Sequence, residues 1–176
     1  MLNFSKRWID ALGVAVLVAL DQASKLWVVA HLSQLDSLPL LPGWLQLVLV
    51  RNRGVVFGFA SGGPLRPLFV LALPILLVPL IAWLLLTTQS RLERWAYTLI
   101  LGGAVGNLID RLRLGHVVDF IDAYFRQGPV ERHWYTFNLA DSFICVGAAM
   151  LALGLLFPVK EKKADAAPQA VPSISV

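Results

Sequence analysis

Asp119 in HVVDF and Asp141 in FNLADS are the residues of this chain with the most chemistry to offer. Asp119 follows two valines and precedes Phe120, and Asp141 opens the apolar run FICVGAAMLALGLLFPV. An ionisable group in such surroundings is expensive, which makes it a functional-site hypothesis by default. Apolar surroundings raise a carboxyl pKa, and two carboxylates held close together share a proton, so that one serves as base and the other as acid. The bland alternative is two separately satisfied aspartates, one capping a helix and one at the interface. The residues alone leave both readings open.

Further polar residues have telling spacings. Asp21 and Lys25 in DQASK are four apart, so they share a helix face and can pair, either at the edge of a site or as a purely structural ion pair. Asn52 lies two residues before Gly54 in RNRGVVF, the pattern of a turn former as much as of a binding residue. In GGAVGNLIDR, Gly102 and Gly106 have the spacing that lets another helix approach closely. Asn107 and Arg111 share one face of that helix, and a guanidinium turned inward can hold a carbonyl or carboxylate in fixed geometry. Asp110 reads as a cap or an interfacial partner. Asn138 stands three residues before Asp141.

Other chemistries lack their residues. Cys145 has no histidine near it in sequence, and His31, His116 and His133 have no metal-ligand spacing. There is no HExxH, no GxSxG and no Gly-rich phosphate loop. No metal and no organic cofactor is expected.

The elements that must position these residues read as membrane-spanning. The chain is 57% hydrophobic and 15% charged, against about 25% charged in a typical soluble domain. Spans are expected at about 8–32, 66–88, 95–112 and 137–159, the clearest being the uncharged LFVLALPILLVPLIAWLLL from Leu68 to Leu86. Its Pro74 and Pro79 are tolerable in a membrane helix. Lys6 and Arg7 ahead of an apolar run resemble a signal peptide, but Asp10 and the length of the run favour an uncleaved first helix. The fold class expected is therefore an all-α membrane protein in one domain, 1–159. Pro-Gly punctuation and β-branched residues between the first two spans predict a small β-containing cap over 33–64, with Trp44 at the membrane surface. The polar, Pro- and Ala-rich stretch 160–176 reads as a disordered cytoplasmic tail. A pI near 9.6 raises nucleic acid as a partner, but the basic residues lie in loops and tails and form no stripe, so no nucleic acid is expected. Their density favours cytoplasmic termini. Four alternating spans bring Asp21, Lys25, Asn52, Asn107, Arg111, Asp119, Asn138 and Asp141 to one membrane face. That is the signature of a site.

A small polytopic transporter would also gather polar residues, but it would normally show inverted repeats or broken helices near the midplane, whereas the polar cluster here lies to one side. A membrane assembly protein explains the GxxxG and the ion pairs, not two aspartates at this depth. A presenilin-type protease would carry GxGD, which is absent.

Five segments taken together, DQASK, NRGVVF, GNLIDR, VVDF and FNLAD, resemble the lipoprotein signal peptidase (signal peptidase II) family, whose pattern reads DQxxK, NxGxxF, GNxxDR, VVDF and FNxAD. Order and spacing agree from residue 21 to residue 142. The resemblance implies four transmembrane helices with an extracytoplasmic cap, in the inner membrane of a bacterium. Both termini would be cytoplasmic, with the active site toward the periplasmic face. It implies an aspartic endopeptidase that cuts prolipoproteins before a diacylglyceryl-modified cysteine, working as a monomer among membrane lipids and without a cofactor. Its dyad maps onto Asp119 and Asp141. Asn52, Gly54, Asn107, Arg111 and Asn138 would shape the substrate pocket, and Asp21 and Lys25 would support it.

Overall fold

The computed structural model describes residues 4–54, 68–128 and 130–157. The expected tail 160–176, residues 66–67 of the second expected span and residues 55–64 of the expected cap lie outside the described residues. The element order is α1 (Phe4–His31), β1 (Ser37–Leu41), β2 (Leu45–Asn52), a π-helical turn (Leu68–Ala72) leading into α2 (Leu73–Thr87), α3 (Arg91–Leu114), β3 (Val117–Gln127), β4 (Val130–His133) and α4 (Leu139–Leu156).

The distribution of polarity is inverted relative to a water-soluble protein. Trp8, Leu12, Leu76, Trp83, Leu155 and Leu156 face outward, while Asp10, Asp21, Lys25, Asn107 and Asp110 are buried. Arg7–His31, Val70–Thr87 and Leu139–Leu156 are long and apolar enough to cross a membrane. α3 is as long as its neighbours but carries Asn107, Asp110 and Arg111 in its second half. It packs against all three other helices, which is where polar side chains of a membrane bundle find partners.

α3 starts and stops on local chemistry. Ser90 is its N-cap, accepting the Glu93 N–H, and Gly115 ends it in the left-handed region at φ 72° with Arg111 and Arg113 in the last turn. α2 has Pro74 in its first turn, directly after the π-helical turn, and Pro79 inside.

α1 and α3 run parallel in a fixed register. Gly13 meets Thr98, Leu17 meets Gly102, Asp21 meets Gly106 and Lys25 meets Asp110, each pair 85 positions apart. The GxxxG expected from sequence is thus turned on α1: a Cβ at Gly106 would stand 2.5 Å from Asp21 Oδ2 and one at Gly102 2.7 Å from Leu17 Cβ. α4 runs antiparallel to α3, with Gly103 against the Ala140 carbonyl and Gly147 against the Ala96 carbonyl. Small residues at these steps bring the three backbones close enough for short polar side chains to meet.

The β-containing cap expected from sequence is present, but it is too large for the all-α class expected with it. The cap is a four-stranded antiparallel sheet in the order β1-β2-β3-β4, and the protein is a mixed membrane fold. Only β1 and β2 come from the region between the first two spans. β3 and β4 come from 117–133, read from sequence as a loop. The signal was present in VVDFIDAYF, a run of β-branched and aromatic residues in which every residue from Val117 to Phe120 is buried. β2 pairs with β3 through Val50–Asp119 and Asn52–Val117, with a register shift between Leu47 and Val50. Val28, Leu49, Val118 and Phe120 form a core that fastens the sheet to the end of α1.

The close approach of α3 and α4 generates a stability test. A Cβ at Gly103 would lie 2.3 Å from the Ala140 carbonyl oxygen, a backbone atom that moves only if the helix moves. Gly103→Ala is expected to destabilise the protein by about 1–3 kcal/mol. Gly154→Ala meets only the tip of Leu92 and is expected to stay within about 1 kcal/mol of the parent. Thermal unfolding in detergent checks both; equal effects would contradict the packing described.

Candidate active site

The site lies where α1, α3 and α4 meet the sheet. β3 ends its buried run at Phe120 and is stitched to the segment entering α4: the N–H groups of Phe120 and Ile121 both donate to the Phe137 carbonyl, and the Phe137 N–H donates back to Ile121. The next residue, Asn138, is the N-cap of α4. Its side chain accepts from the Asp141 N–H at 2.9 Å while the Asp141 carboxylate accepts from the Asn138 N–H, a reciprocal capping box. Asp141 is therefore in the first turn of α4, directly beside the strand that carries Asp119.

Two asparagine side chains connect the aspartates. Asn138 Nδ2 donates to Asp119 Oδ1 at 2.7 Å and to Asn107 Oδ1 at 3.1 Å. Asn107 Nδ2 donates to Asp141 Oδ1 at 2.8 Å. A third asparagine, Asn52, donates from β2 to Asp119 Oδ2 at 2.8 Å, while its own Oδ1 accepts the Gly54 N–H and closes a tight turn. Asn52 is both a turn former and a partner of the carboxylate, so the two readings of that residue are not exclusive. It reaches Asp119 because the two occupy diagonal positions on one face of the β2–β3 pair.

Beneath this lies a buried ionic cluster. Lys25 Nζ stands 2.8 Å from Asp21 Oδ2, 2.9 Å from Asp110 Oδ2 and 2.9 Å from Asn107 Oδ1, so its three N–H donors have three acceptors. The pairing expected for Asp21 and Lys25 is present. Sequence reasoning passed over one member of the cluster, Gln22, and read another, Asp110, only as a cap or an interfacial partner, although both lie inside segments already singled out. Gln22 Nε2 bridges Asp110 Oδ1 at 3.0 Å, Asp21 Oδ2 at 3.2 Å and the Gly106 carbonyl at 3.2 Å. A glutamine one residue from an ion pair gives no one-dimensional hint of such a bridge.

Arg111 completes the site. It is half-buried, its charge acts on Asp141, Asp119 and Asp110, and its buried Nε has no hydrogen-bond partner among the described residues. The structure thus brings together Asp21, Lys25, Asn52, Gly54, Asn107, Arg111, Asp119, Asn138 and Asp141. No group of histidine, cysteine, aspartate and glutamate able to hold a metal ion occurs among the described residues.

The Asp119 carboxyl is raised to about 6: burial and the neighbouring Asp141 push it up, while the amides of Asn52 and Asn138 and the Lys25 charge draw it down. The site holds four carboxyls, Asp21, Asp110, Asp119 and Asp141, against the cations of Lys25 and Arg111. A proton on Asp119 reduces that excess. Two carboxyls, one able to keep a proton near neutrality, can exchange protons with a water or a carbonyl placed between them.

A family model described as Signal peptidase (SPase) II matches residues 13–157. The chain is 46% identical over 169 residues to a lipoprotein signal peptidase of Aeromonas hydrophila, covering 92% of this chain and 94% of that one. It is 40% identical over 153 residues to a lipoprotein signal peptidase of Geobacter metallireducens, covering 86% and 92%. Among solved structures, a bacterial membrane enzyme determined by the in meso method at 2.3 Å resolution superposes with a TM-score of 0.75 at 27% identity, covering 90% of this chain and 94% of that one.

The Asp119 environment makes a spectroscopic prediction. Its carboxyl is protonated below about pH 6 and ionised above. The infrared band of a protonated carboxyl, assigned by its loss in Asp119→Asn, should disappear as pH rises through that value. Asn52→Ala removes a hydrogen bond that favours the ionised form, so the same transition should move to higher pH. A transition near pH 4 in the parent protein would contradict the burial described.

Proposed function

The chain belongs to the signal peptidase II family, and on that premise we propose that Asp119 and Asp141 are the catalytic dyad of an aspartic-type peptidase that removes signal peptides from prolipoproteins. The observation that carries the reading is the asparagine bridge. A buried aspartate on a strand and a half-buried one at a helix start, Asp119 and Asp141, are held by Asn138 at 2.7 Å and Asn107 at 2.8 Å, and these amides bond to each other. A shared cradle that fixes two carboxyls relative to one another is what a dyad requires.

In the proposed reaction the protonated carboxyl hydrogen-bonds the scissile carbonyl, and the ionised one takes a proton from the attacking water. The hydroxyl adds to the carbonyl carbon as the carbonyl oxygen receives the other carboxyl's proton, giving a gem-diol. One gem-diol hydroxyl then returns its proton to the dyad, the second carboxyl protonates the amide nitrogen, and the C–N bond breaks. The dyad ends with the single proton it began with. The apparent pKa values belong to the pair, and the rate should follow a bell-shaped pH profile.

The remaining residues take roles from their geometry. Asn107 and Asn138 are buried and hold the carboxyls. Asn52 restrains Asp119 and, with Gly54, forms the turn at the edge of the pocket. Arg111, whose Nε has no partner among the described residues, would hold the backbone of an extended substrate. Asp21 and Lys25 support the floor. The substrate in this reading is a prolipoprotein whose lipidated cysteine follows the cut, with its acyl chains remaining in the bilayer. α3 crosses the membrane with the three more apolar helices, both termini are cytoplasmic, and the sheet lies on the periplasmic side. The enzyme acts as a monomer, without nucleic acid and without a cofactor.

The test is cleavage of a diacylglyceryl-modified prolipoprotein by purified protein in detergent. Asp119→Asn and Asp141→Asn should each lower kcat by about 10²–10⁴-fold or more while folding and substrate binding persist. Near-normal turnover in either variant would remove that aspartate from the dyad.

A further inference from the structure

Each aspartate of the dyad is preceded by a residue whose backbone N–H is held by a different buried carboxylate. Asp21 Oδ1 accepts the Ala140 N–H at 3.0 Å, one residue before Asp141. Asp110 Oδ2 accepts the Val118 N–H at 3.1 Å, one residue before Asp119. Neither bond belongs to a helix ladder or a strand pairing, and each crosses from a helix to another element. The two holding carboxylates are themselves joined twice, by Lys25 at 2.8 and 2.9 Å and by the Gln22 amide at 3.2 and 3.0 Å. The third donor of Lys25 goes to Asn107 Oδ1, the amide that bonds Asp141. Every connection is buried or nearly so, where hydrogen bonds to charged groups are short, directional and hard to exchange for water.

We propose that Asp110, Gln22, Lys25 and Asp21 form one positioning unit that sets the separation of the two dyad carboxyls, Asp110 acting on Asp119 through Val118 and Asp21 acting on Asp141 through Ala140. The inference rests on Asp119 and Asp141 being the dyad and assigns to Asp110 and Gln22 a part in the reaction beyond packing. The geometry argues for position over mere stability. A buried ion pair alone would stabilise helix contacts, as Asp10 and Arg94 do at 2.6 Å near the other end of α1 and α3. The Lys25 cluster instead sends one bond to the backbone immediately ahead of each reactive residue. A shift of Val118 or Ala140 is passed to the next carboxyl through a single peptide unit.

The test compares Asp110→Asn and Gln22→Ala with Asp10→Asn, an ion-pair loss outside the site, using Tm, kcat, KM and the pH–rate profile on the same lipidated substrate. Asp110→Asn should lower kcat by about 10²-fold, the order expected from a displacement near 1 Å. Its KM should stay within about threefold, and one limb of the pH profile should move, because the carboxyls no longer sense one another at the same distance. Gln22→Ala, which leaves every charge in place, should show the same pattern at about tenfold in kcat and serves if Asp110→Asn does not fold. Asp10→Asn should lower Tm while leaving kcat and both limbs unchanged. The proposal is overturned if Asp110→Asn or Gln22→Ala loses Tm as Asp10→Asn does but keeps its kcat and pH limbs. Failure of the dyad itself shows separately, as activity surviving in Asp119→Asn or Asp141→Asn.

Discussion

The ammonium of Lys25 has three N–H donors and almost no contact with water, and the rest of the site follows from satisfying it. In a low-dielectric interior a charge without partners is the most expensive feature a fold can contain; removing one member of a buried pair typically destabilises by about 3–5 kcal/mol. Two carboxylates and one amide oxygen meet the ammonium, and they come from α1 and α3. That requirement explains why those helices run in register and why glycine occupies position 106. A methyl group there would collide with the Asp21 carboxylate and open the cluster.

Around this fixed point the protein resolves a conflict between burial and reactivity. Carboxyls that exchange protons near neutrality must be partly desolvated, yet a hydrolase must admit water. Asp119 is buried and its carboxyl raised, but three asparagine amides surround the pair instead of further cations. Amides hold the carboxyls by hydrogen bonds without the full electrostatic pull of a lysine, so the tendency to keep a proton survives. Arg111, a cation close to both aspartates, is half-buried, and its Nε has no hydrogen-bond partner among the described residues. Placing the pair at the end of the helices, under a sheet, gives water an approach that the middle of the bundle would deny.

The sheet connects what the helices alone would leave apart. β3 carries Asp119 and hydrogen-bonds the residue entering α4, while β2 supplies Asn52. The capping box at Asn138 then serves two ends, starting α4 and orienting Asp141. Local helix chemistry and the geometry of the site are therefore carried by the same few atoms. This is why an N-cap asparagine, ordinary in itself, is fully buried here.

Much of this was legible in one dimension. Apolar runs marked the helices, because crossing a bilayer requires length and hydropathy that few other structures need. Costly aspartates marked the candidate site, because a carboxylate in apolar surroundings is retained only with partners or a task. The i, i+4 spacing paired Asp21 with Lys25, and five short segments in order pointed to the family. What remained hidden depended on contacts between residues far apart in the chain. VVDFIDAYF was passed over as a strand because its β-branched signal is short and its partner β2 lies some 70 positions upstream. Gln22 was passed over, and Asp110 was read only as a cap or interfacial partner, because hydrogen bonds from a side chain to a distant amide leave no period in the sequence. Residue types and their spacing along one helix determined which groups were present and which face they shared. Only the tertiary structure decided which carboxylate holds which backbone N–H, since that depends on the approach of three helices and a sheet to within a few ångströms.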